Sequence, residues 1–367
     1  MTTHDETAAE SGSVTGDAFA ERVFDAVLGA QQVQAMYLGD RLGYYRSLAA
    51  DGAATSADLA HRTGTAERYA REWLEHQAVC GYLDVADAAA PAADRRFILP
   101  AAHAEVLTDE LSLNHVLPLA RLVGATSKQF DALVEAYRTG GGVGWEQFGT
   151  DAREAQSAAN RPLFLGPLAG EYLPAIPAVD AALRAGGRVA DVGCGTGWSS
   201  IGIALGYPDA RVDGFDLDEP SIQTARRSAA EAGVDTRVTF HATDAAQVVA
   251  GGGYQVVCAI ECIHDLADPV SVLATMRSLC AEGGTVLVVD ERVAEQFTAP
   301  GDDVERLMYG WSITCCLPDG LSHQPSVGTG TVMRPETLRA YAREAGFTDV
   351  EILPLENDFF RFYSLVL

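Results

Sequence analysis

The run VADVGCGTG, residues 189–197, constrains this chain more than any other stretch. Apolar residues lead into glycines at 193, 195 and 197, and a helical segment follows. Three glycines at alternate positions behind a strand leave the main chain bare, so a ligand can approach the backbone more closely than side chains would allow. The same run starts an alternating pattern. From residue 186 onward, the segments RVADVG, ARVDGFDLD, RVTFHATD, YQVVCAIE, GGTVLVVDE, TDVEILPLE and FFRFYSLVL are separated by helical segments, of which four begin near 198, 220, 270 and 335. Apolar strands spaced by helices predict a mostly parallel, doubly wound sheet. Ligands of such sheets sit outside the carboxyl ends of the strands, beside the point where the strand order reverses.

The residues that close each predicted strand narrow the ligand. Asp216 ends the second strand, nineteen residues beyond Gly197, and a carboxylate there can accept both hydroxyls of a ribose. That suits NAD and S-adenosylmethionine alike. Asp191, ahead of the glycines, separates the two: a G-x-G-x-x-G turn sets a pyrophosphate on a helix N-terminus, and an acid beside the strand would repel it. The same acid suits a cofactor carrying a sulfonium and an amino group. Asp244, after the third strand, is placed to accept from an adenine amino group while Ala245 offers its amide. Cys194, Gly197, Leu217 and Glu261 flank these positions and complete the expected cofactor-binding set with Gly193 and Gly195.

Residues 186–367 resemble a class I S-adenosylmethionine-dependent methyltransferase, through VADVGCGTG, GFDLD, HATD, VVCAIECIHDLADP and GGTVLVVDE in order. The stretch from YGWSITCCLPDG to the C-terminus resembles a microbial winged-helix methyltransferase group with no assignable substrate. The resemblance implies an α/β, Rossmann-like seven-stranded sheet with an antiparallel last strand. It also implies S-adenosylmethionine as cofactor, held by Asp191, Gly193, Gly195, Asp216 and Asp244. Methyl transfer needs alignment and, for a hydroxyl acceptor, a base. The candidate is His264 in ECIHDLADP, with Asp265 fixing its tautomer or the loop. Plant-like O-methyltransferases carry their catalytic histidine in a similar His-Asp dipeptide; here Leu266 stands where they have tryptophan, and packing or a cofactor contact is the other role for this histidine.

Trp145, Phe164, Tyr172, Trp311 and His323 are candidate walls of a small-molecule acceptor pocket, with core packing the alternative for each. Glu291 closes the fifth strand as an acceptor contact, a helix cap or a salt-bridge partner. Cys315 and Cys316 read either as buried thiols or as a thiophilic pair. No set of carboxylates has magnesium-like spacing, so no metal is expected.

Ahead of the sheet, SADLAHRTG and TAERYAREWLEHQAVC read as helices, with Ser56 and Thr65 as N-caps, Gly64 and Gly81 as stops, and Glu67–Arg71 as a helical pair. A ribbon of GYLDV and RRFILP completes a winged helix-turn-helix, similar to the dimerisation domain of small-molecule O-methyltransferases. A homodimer through this domain is expected, with methyl transfer to a small molecule at oxygen first and at nitrogen or carbon next; a cofactor-sensing winged-helix transcription regulator is the alternative function. Residues 18–50 read as helical, with Phe19, Val23, Val27 and Val33 on one face. The expected division is a tail over 1–17, the winged-helix domain over 18–110, a helical linker or lid over 111–185 with a mobile RTGGGVGWEQFGT loop, and the methyltransferase domain over 186–367.

Charge bears on the partners. With 26 Lys plus Arg against 51 Asp plus Glu, and a formal net charge of −25, attraction to nucleic acid or anionic lipid is disfavoured. Lys128 is the single lysine, a composition that suits either a high-salt habitat or GC-rich codons. The polar start of the chain reads as no signal peptide and no apolar run reaches membrane-spanning length, so a cytoplasmic location is expected. Seven scattered cysteines suggest reduced thiols.

Overall fold

A computed structural model describes residues 15–248 and 253–367; most of the expected N-terminal tail lies outside these residues. The chain divides into one unit that ends at His103 and another that runs from Ala104 to Leu367. The expected linker or lid therefore belongs with the sheet rather than forming a separate segment.

In the first unit, α1 (Gly16–Arg41) and α2 (Tyr44–Asp51) precede α3 (Ser56–Thr63) and α4 (Glu67–Val79). A ribbon follows, β1 (Asp84–Val85) paired antiparallel with β2 (Phe97–Ile98). The N-caps fall one residue from the expected places: Thr55 caps α3 in a reciprocal pair with Asp58, and α4 starts after Ala66 without a side-chain cap. Thr65 instead accepts from the Tyr44 hydroxyl. Gly64 ends α3 in the left-handed region at φ 68°, as expected of a stop. Trp73 fills the centre of this unit against Tyr44 and Tyr45, and its indole N–H donates to the Ala35 carbonyl at 2.8 Å. The apolar residues Phe19, Val23 and Val27 of α1 are exposed rather than packed.

The second unit takes in α5 (Ala101–Thr108) across the boundary, then α6 (Leu117–Ser127), α7 (Phe130–Thr139), α8 (Trp145–Leu165), a π-helical turn at Leu168–Tyr172 and α9 (Pro177–Arg184). Next come β3 (Arg188–Val192), α10 (Trp198–Gly206), β4 (Arg211–Asp216), α11 (Glu219–Glu231), β5 (Val238–Ala242), β6 (Tyr254–Ile260), α12 (Pro269–Leu279) and β7 (Cys280–Glu291). The chain closes with α13 (Asp303–Trp311), a second π-helical turn at Ser312–Cys316, α14 (Leu317–Ser322), α15 (Pro335–Glu344), β8 (Asp349–Ile352) and β9 (Phe360–Val366). Seven strands form one sheet in the order β5-β4-β3-β6-β7-β9-β8, with β9 antiparallel to both neighbours. The order reverses between β3 and β6, which pair in parallel with Asp191 opposite Cys258.

Alternate residues of each strand bury opposite faces. Val189, Val212, Val238 and Val256 pack with Ile201 of α10 and Ile222 of α11 on one face. Ala190, Val192, Val257 and Val288 pack with Leu273 of α12 and Leu338 of α15 on the other. Phe164 and Tyr172 belong to the first of these layers. Phe164 is buried there, and Tyr172 packs on Phe362 with its hydroxyl accepting from Asn357. Both were candidate pocket walls with core packing as the alternative, and both support the sheet.

Within RTGGGVGWEQFGT, Gly142 serves close packing. A Cβ on Gly142 would lie 2.2 Å from the Ser322 nitrogen and 2.3 Å from the Pro318 carbonyl, and Val143 N–H donates to that same carbonyl. Gly202 does the same between α10 and α8, where a Cβ would come within 1.9 Å of the Phe164 carbonyl. Gly202→Val is expected to lower the unfolding free energy by about 1–3 kcal/mol. Urea denaturation followed by tryptophan fluorescence checks this, and an unchanged midpoint would refute the close helix contact.

Candidate active site

The carboxyl ends of β3, β4, β6 and β7 bring the chemistry-bearing residues together. The three glycines behind β3 have different reasons for being glycine. All three have positive φ, at 71°, 51° and 83° for Gly193, Gly195 and Gly197. A Cβ on Gly193 would meet the Cys262 sulfur at 2.5 Å, and one on Gly197 would meet the Phe240 ring at 2.5 Å. Gly195 alone faces open space. Its amide donates to Asp216 Oδ2 at 2.8 Å, so the bare backbone and the carboxylate at the end of β4 form one surface. Asp218 N–H donates to the other oxygen, and burial raises the Asp216 pKa. Leu217, beside it, is 64% exposed, an apolar side chain left uncovered at the cleft.

Three other expected cofactor residues are engaged within the chain itself. Asp191 is fully buried beneath the turn, where its Oδ2 accepts from the Ser199 and Ser200 hydroxyls at 2.6 Å each. Burial raises its pKa against those bonds. It anchors the start of α10. Cys194 turns its thiol into the core below. Asp244 caps the short turn Ala245–Gln247 by accepting from Ala246 N–H and the Gln247 amide.

Glu261 stands out at the end of β6. It is the only non-glycine residue of positive φ among those described, at 55°, a conformation that costs energy and concentrates at functional sites. Its Oε2 accepts from Gln156 of α8 at 3.3 Å, while Oε1 is buried with no hydrogen-bond partner. Burial, opposed by a bond from Asn160, pushes its pKa up to about 7.

His264, 3% exposed, lies in the turn after β6. Its Nδ1 is 2.8 Å from Asp290 Oδ1 and 3.0 Å from Glu291 Oε2; its Nε2 is 3.2 Å from Asp265 Oδ1. Burial opposes charging the ring, but Asp265, Asp290 and Glu291 together raise its pKa well above the usual histidine range. Burial likewise opposes ionisation of Asp290, yet the His264 charge holds it low. Glu291, buried beside the Asp290 charge, is pushed well up. Asp319 of α14 accepts from Trp145 N–H at the start of α8, and burial and Asp265 raise it to about 7. Cys316 ends the second π-helical turn, and its thiol is lowered by a bond from Cys315 and, against burial, by His264.

Of the expected pocket residues, Trp145 and Trp311 meet around one apolar cluster that includes Phe148 and Cys315. His323 is exposed at the end of α14. Several residues at the site carry no motif. Arg153 grips Asp218 through two 2.7 Å bonds. The Ser157 hydroxyl accepts from Thr196 Oγ1 at 2.7 Å and from the Trp198 indole at 2.8 Å. They sit on one polar stripe of α8, and only their helical spacing with Gln156 and Asn160 hints at a shared surface.

Residues 183–318 match the family described as Methyltransferase domain, and residues 32–109 the Rv2258c-like winged HTH domain. A ubiquinone biosynthesis O-methyltransferase of Aromatoleum aromaticum is 31% identical over 184 residues, 49% of this chain and 73% of that protein. This chain belongs to the class I S-adenosylmethionine-dependent methyltransferases. The 27-O-demethylrifamycin SV methyltransferase of Amycolatopsis mediterranei is 28% identical over 45% of this methyltransferase, which spans 55% of that relative's length. The fold is shared with solved structures over nearly the whole chain. The mitomycin 7-O-methyltransferase MmcR matches with a TM-score of 0.70 and 21% identity, covering 95% of this chain and 98% of that one. Human N-acetylserotonin methyltransferase, in complex with SAM, matches with a TM-score of 0.72 and 18% identity over 97% and 99%.

S-adenosylmethionine is the cofactor, and the site fits it. Gly195 offers open backbone, Asp216 a carboxylate for the ribose, Leu217 an uncovered apolar surface, and Glu261 an unpaired oxygen for a cationic group. A carboxyl with its pKa near 7 is neutral below that pH and anionic above it, so cation binding strengthens as pH rises through 7. Calorimetry with S-adenosylhomocysteine should show affinity rising across that interval in the native chain and flat in Glu261→Gln. An equal pH dependence in both would remove Glu261 from the cofactor site.

Proposed function

We propose that this methyltransferase methylates a hydroxyl of a small molecule, with His264 as the general base. The bound cofactor supplies a methyl group already activated by its sulfonium. The chain's own task is to align the acceptor and take its proton. The observation that carries the reading is the His264 arrangement at the carboxyl ends of β6 and β7. With Nδ1–H donated to Asp290, the lone pair sits on Nε2, on the Asp265 side. A proton arriving at Nε2 makes an imidazolium between the Asp290 and Asp265 carboxylates, which position and stabilise it. Trp145 and Trp311 are the aromatic walls nearest this reading, and the names of the relatives support an oxygen acceptor.

We also propose a cytoplasmic homodimer joined through the N-terminal unit, without nucleic acid as partner. All seven cysteines are free, as suits a reducing compartment, and no helix among the described residues is long and apolar enough to cross a membrane. The exposed Phe19, Val23, Phe24, Val27 and Leu28 of α1 make an apolar surface of the kind that marks an interface. On α4, Arg68 pairs with Glu72 and Arg71 with Glu67, so neither arginine is unpaired for phosphate.

His264→Ala is expected to lower turnover at least about a hundredfold while S-adenosylhomocysteine affinity stays within a few fold; unchanged turnover would remove the base. The raised pKa gives the pH dependence its sign. The proton must leave the imidazolium before the ring accepts one, so native turnover rises towards alkaline pH, and a profile that falls over that range contradicts the assignment. Phe24→Glu with Val27→Glu should halve the mass seen in analytical ultracentrifugation, and a native chain that is already monomeric would refute the dimer.

A further inference from the structure

We propose that His264, Asp265 and Cys316 form a binding site for a thiophilic divalent metal ion of the zinc class, whose occupancy shuts the enzyme off. The inference rests on the reading of His264 as base. One ligating atom of each residue lies within 4.8 Å of the others. Nitrogen, oxygen and sulfur are the donors zinc prefers, and three protein ligands with one open position form a common zinc arrangement.

Two further observations point the set at an ion. Asp265 Oδ1 approaches Nε2 to 3.2 Å, yet it is buried and accepts no hydrogen bond. Once the imidazolium gives up its Nε2 proton, the lone pairs of that oxygen and that nitrogen converge on one place. On the opposite side of the ring, Nδ1 is 2.8 Å from Asp290 Oδ1. A metal-ligating histidine characteristically gives its other N–H to a carboxylate, which fixes the ring and raises its basicity as a ligand. Asp290 stands in that relation to His264.

His264 with Asp290 and Glu291 also has metal-like spacing, but all three are buried and the imidazolium already compensates the Asp290 charge. The Cys316 side differs in having a sulfur donor and in reaching half-buried positions, Asp265 and Cys316, through which an ion can enter. Binding replaces the ring proton and the Cys316 thiol proton, both of which leave to solvent, so two negative ligands and one neutral one balance the dication. With Nε2 engaged, no atom of His264 remains to take a proton from an acceptor. The segments that supply the ligands lie about fifty residues apart in the chain, which is why no local spacing announced them.

Cobalt(II) is the probe, titrated into the chelator-stripped full chain. One equivalent should bind with a thiolate-to-cobalt charge-transfer band, and zinc should displace it. Cys316→Ser should lose that band and Cys315→Ser keep it, with S-adenosylhomocysteine affinity reporting that both variants are folded. Asp290→Asn should weaken cobalt binding about ten- to a hundredfold. In turnover, zinc should inhibit the native enzyme and a chelator restore it. Absence of the band in the native chain, its survival in Cys316→Ser, or full turnover with zinc bound would each overturn the proposal. Loss of methyl transfer without metal, with the band intact, would instead overturn the functional reading and leave the metal site standing.

Discussion

Everything at this site depends on how closely the turn after β3 approaches the turn after β6. Gly193 and Cys262 occupy almost the same space, and a single methyl group at 193 would fall 2.5 Å from the sulfur. Cys262 in turn donates its S–H to the Val192 carbonyl at 3.3 Å. The two turns flank the reversal in strand order, where a crevice opens at the carboxyl edge of the sheet. Their interlock sets the glycine surface at Gly195 next to the Glu261–Cys262–Ile263–His264 segment. Cofactor contact and proton chemistry are thus held in fixed register by packing rather than by long side chains.

The electrostatics follow from that compactness. Packing the turns together removes water from His264, Glu261, Asp290 and Glu291 at once, and groups so buried cannot all carry charge. The shifts run in opposite senses: the His264 pKa goes up and that of Asp290 down as the two attract, while burial beside the Asp290 charge pushes Glu291 up. Glu261 and Asp319, both raised to about 7, stand at the margin. Three carboxylates around one imidazole thus keep the ring basic against its burial.

The sheet was legible because apolar runs alternate with helices and because strand termini carry residues with few other uses, Asp216 among them. The seven expected strands all form, and the last is antiparallel. The aromatic residues were harder to read. Phe164 and Tyr172 have the same composition and spacing whether they line a cavity or a core, and only the packing of α8, α10 and β9 decides for the core. Asp191 carries a related ambiguity: a charge next to a glycine turn reads as a ligand contact, and two serines on the first turn of α10 take up one of its oxygens. Arg153, Ser157, Gln156 and Asp319 had no local signature, since their partners lie from about forty to more than a hundred and seventy residues away in the chain.

Helix α8 is not one uniform rod, because Gly149 interrupts it with φ 74° and ψ −163°. Beyond the break, Arg153, Gln156 and Ser157 are tied to the turns of β3, β4 and β6. Before it, Trp145 and Phe148 pack with Trp311 and Cys315. The joint separates a half tied to the strand ends from a half packed in an aromatic cluster. Within one helix, a change in the amino-terminal turn is then not passed rigidly to the residues held at the strand ends.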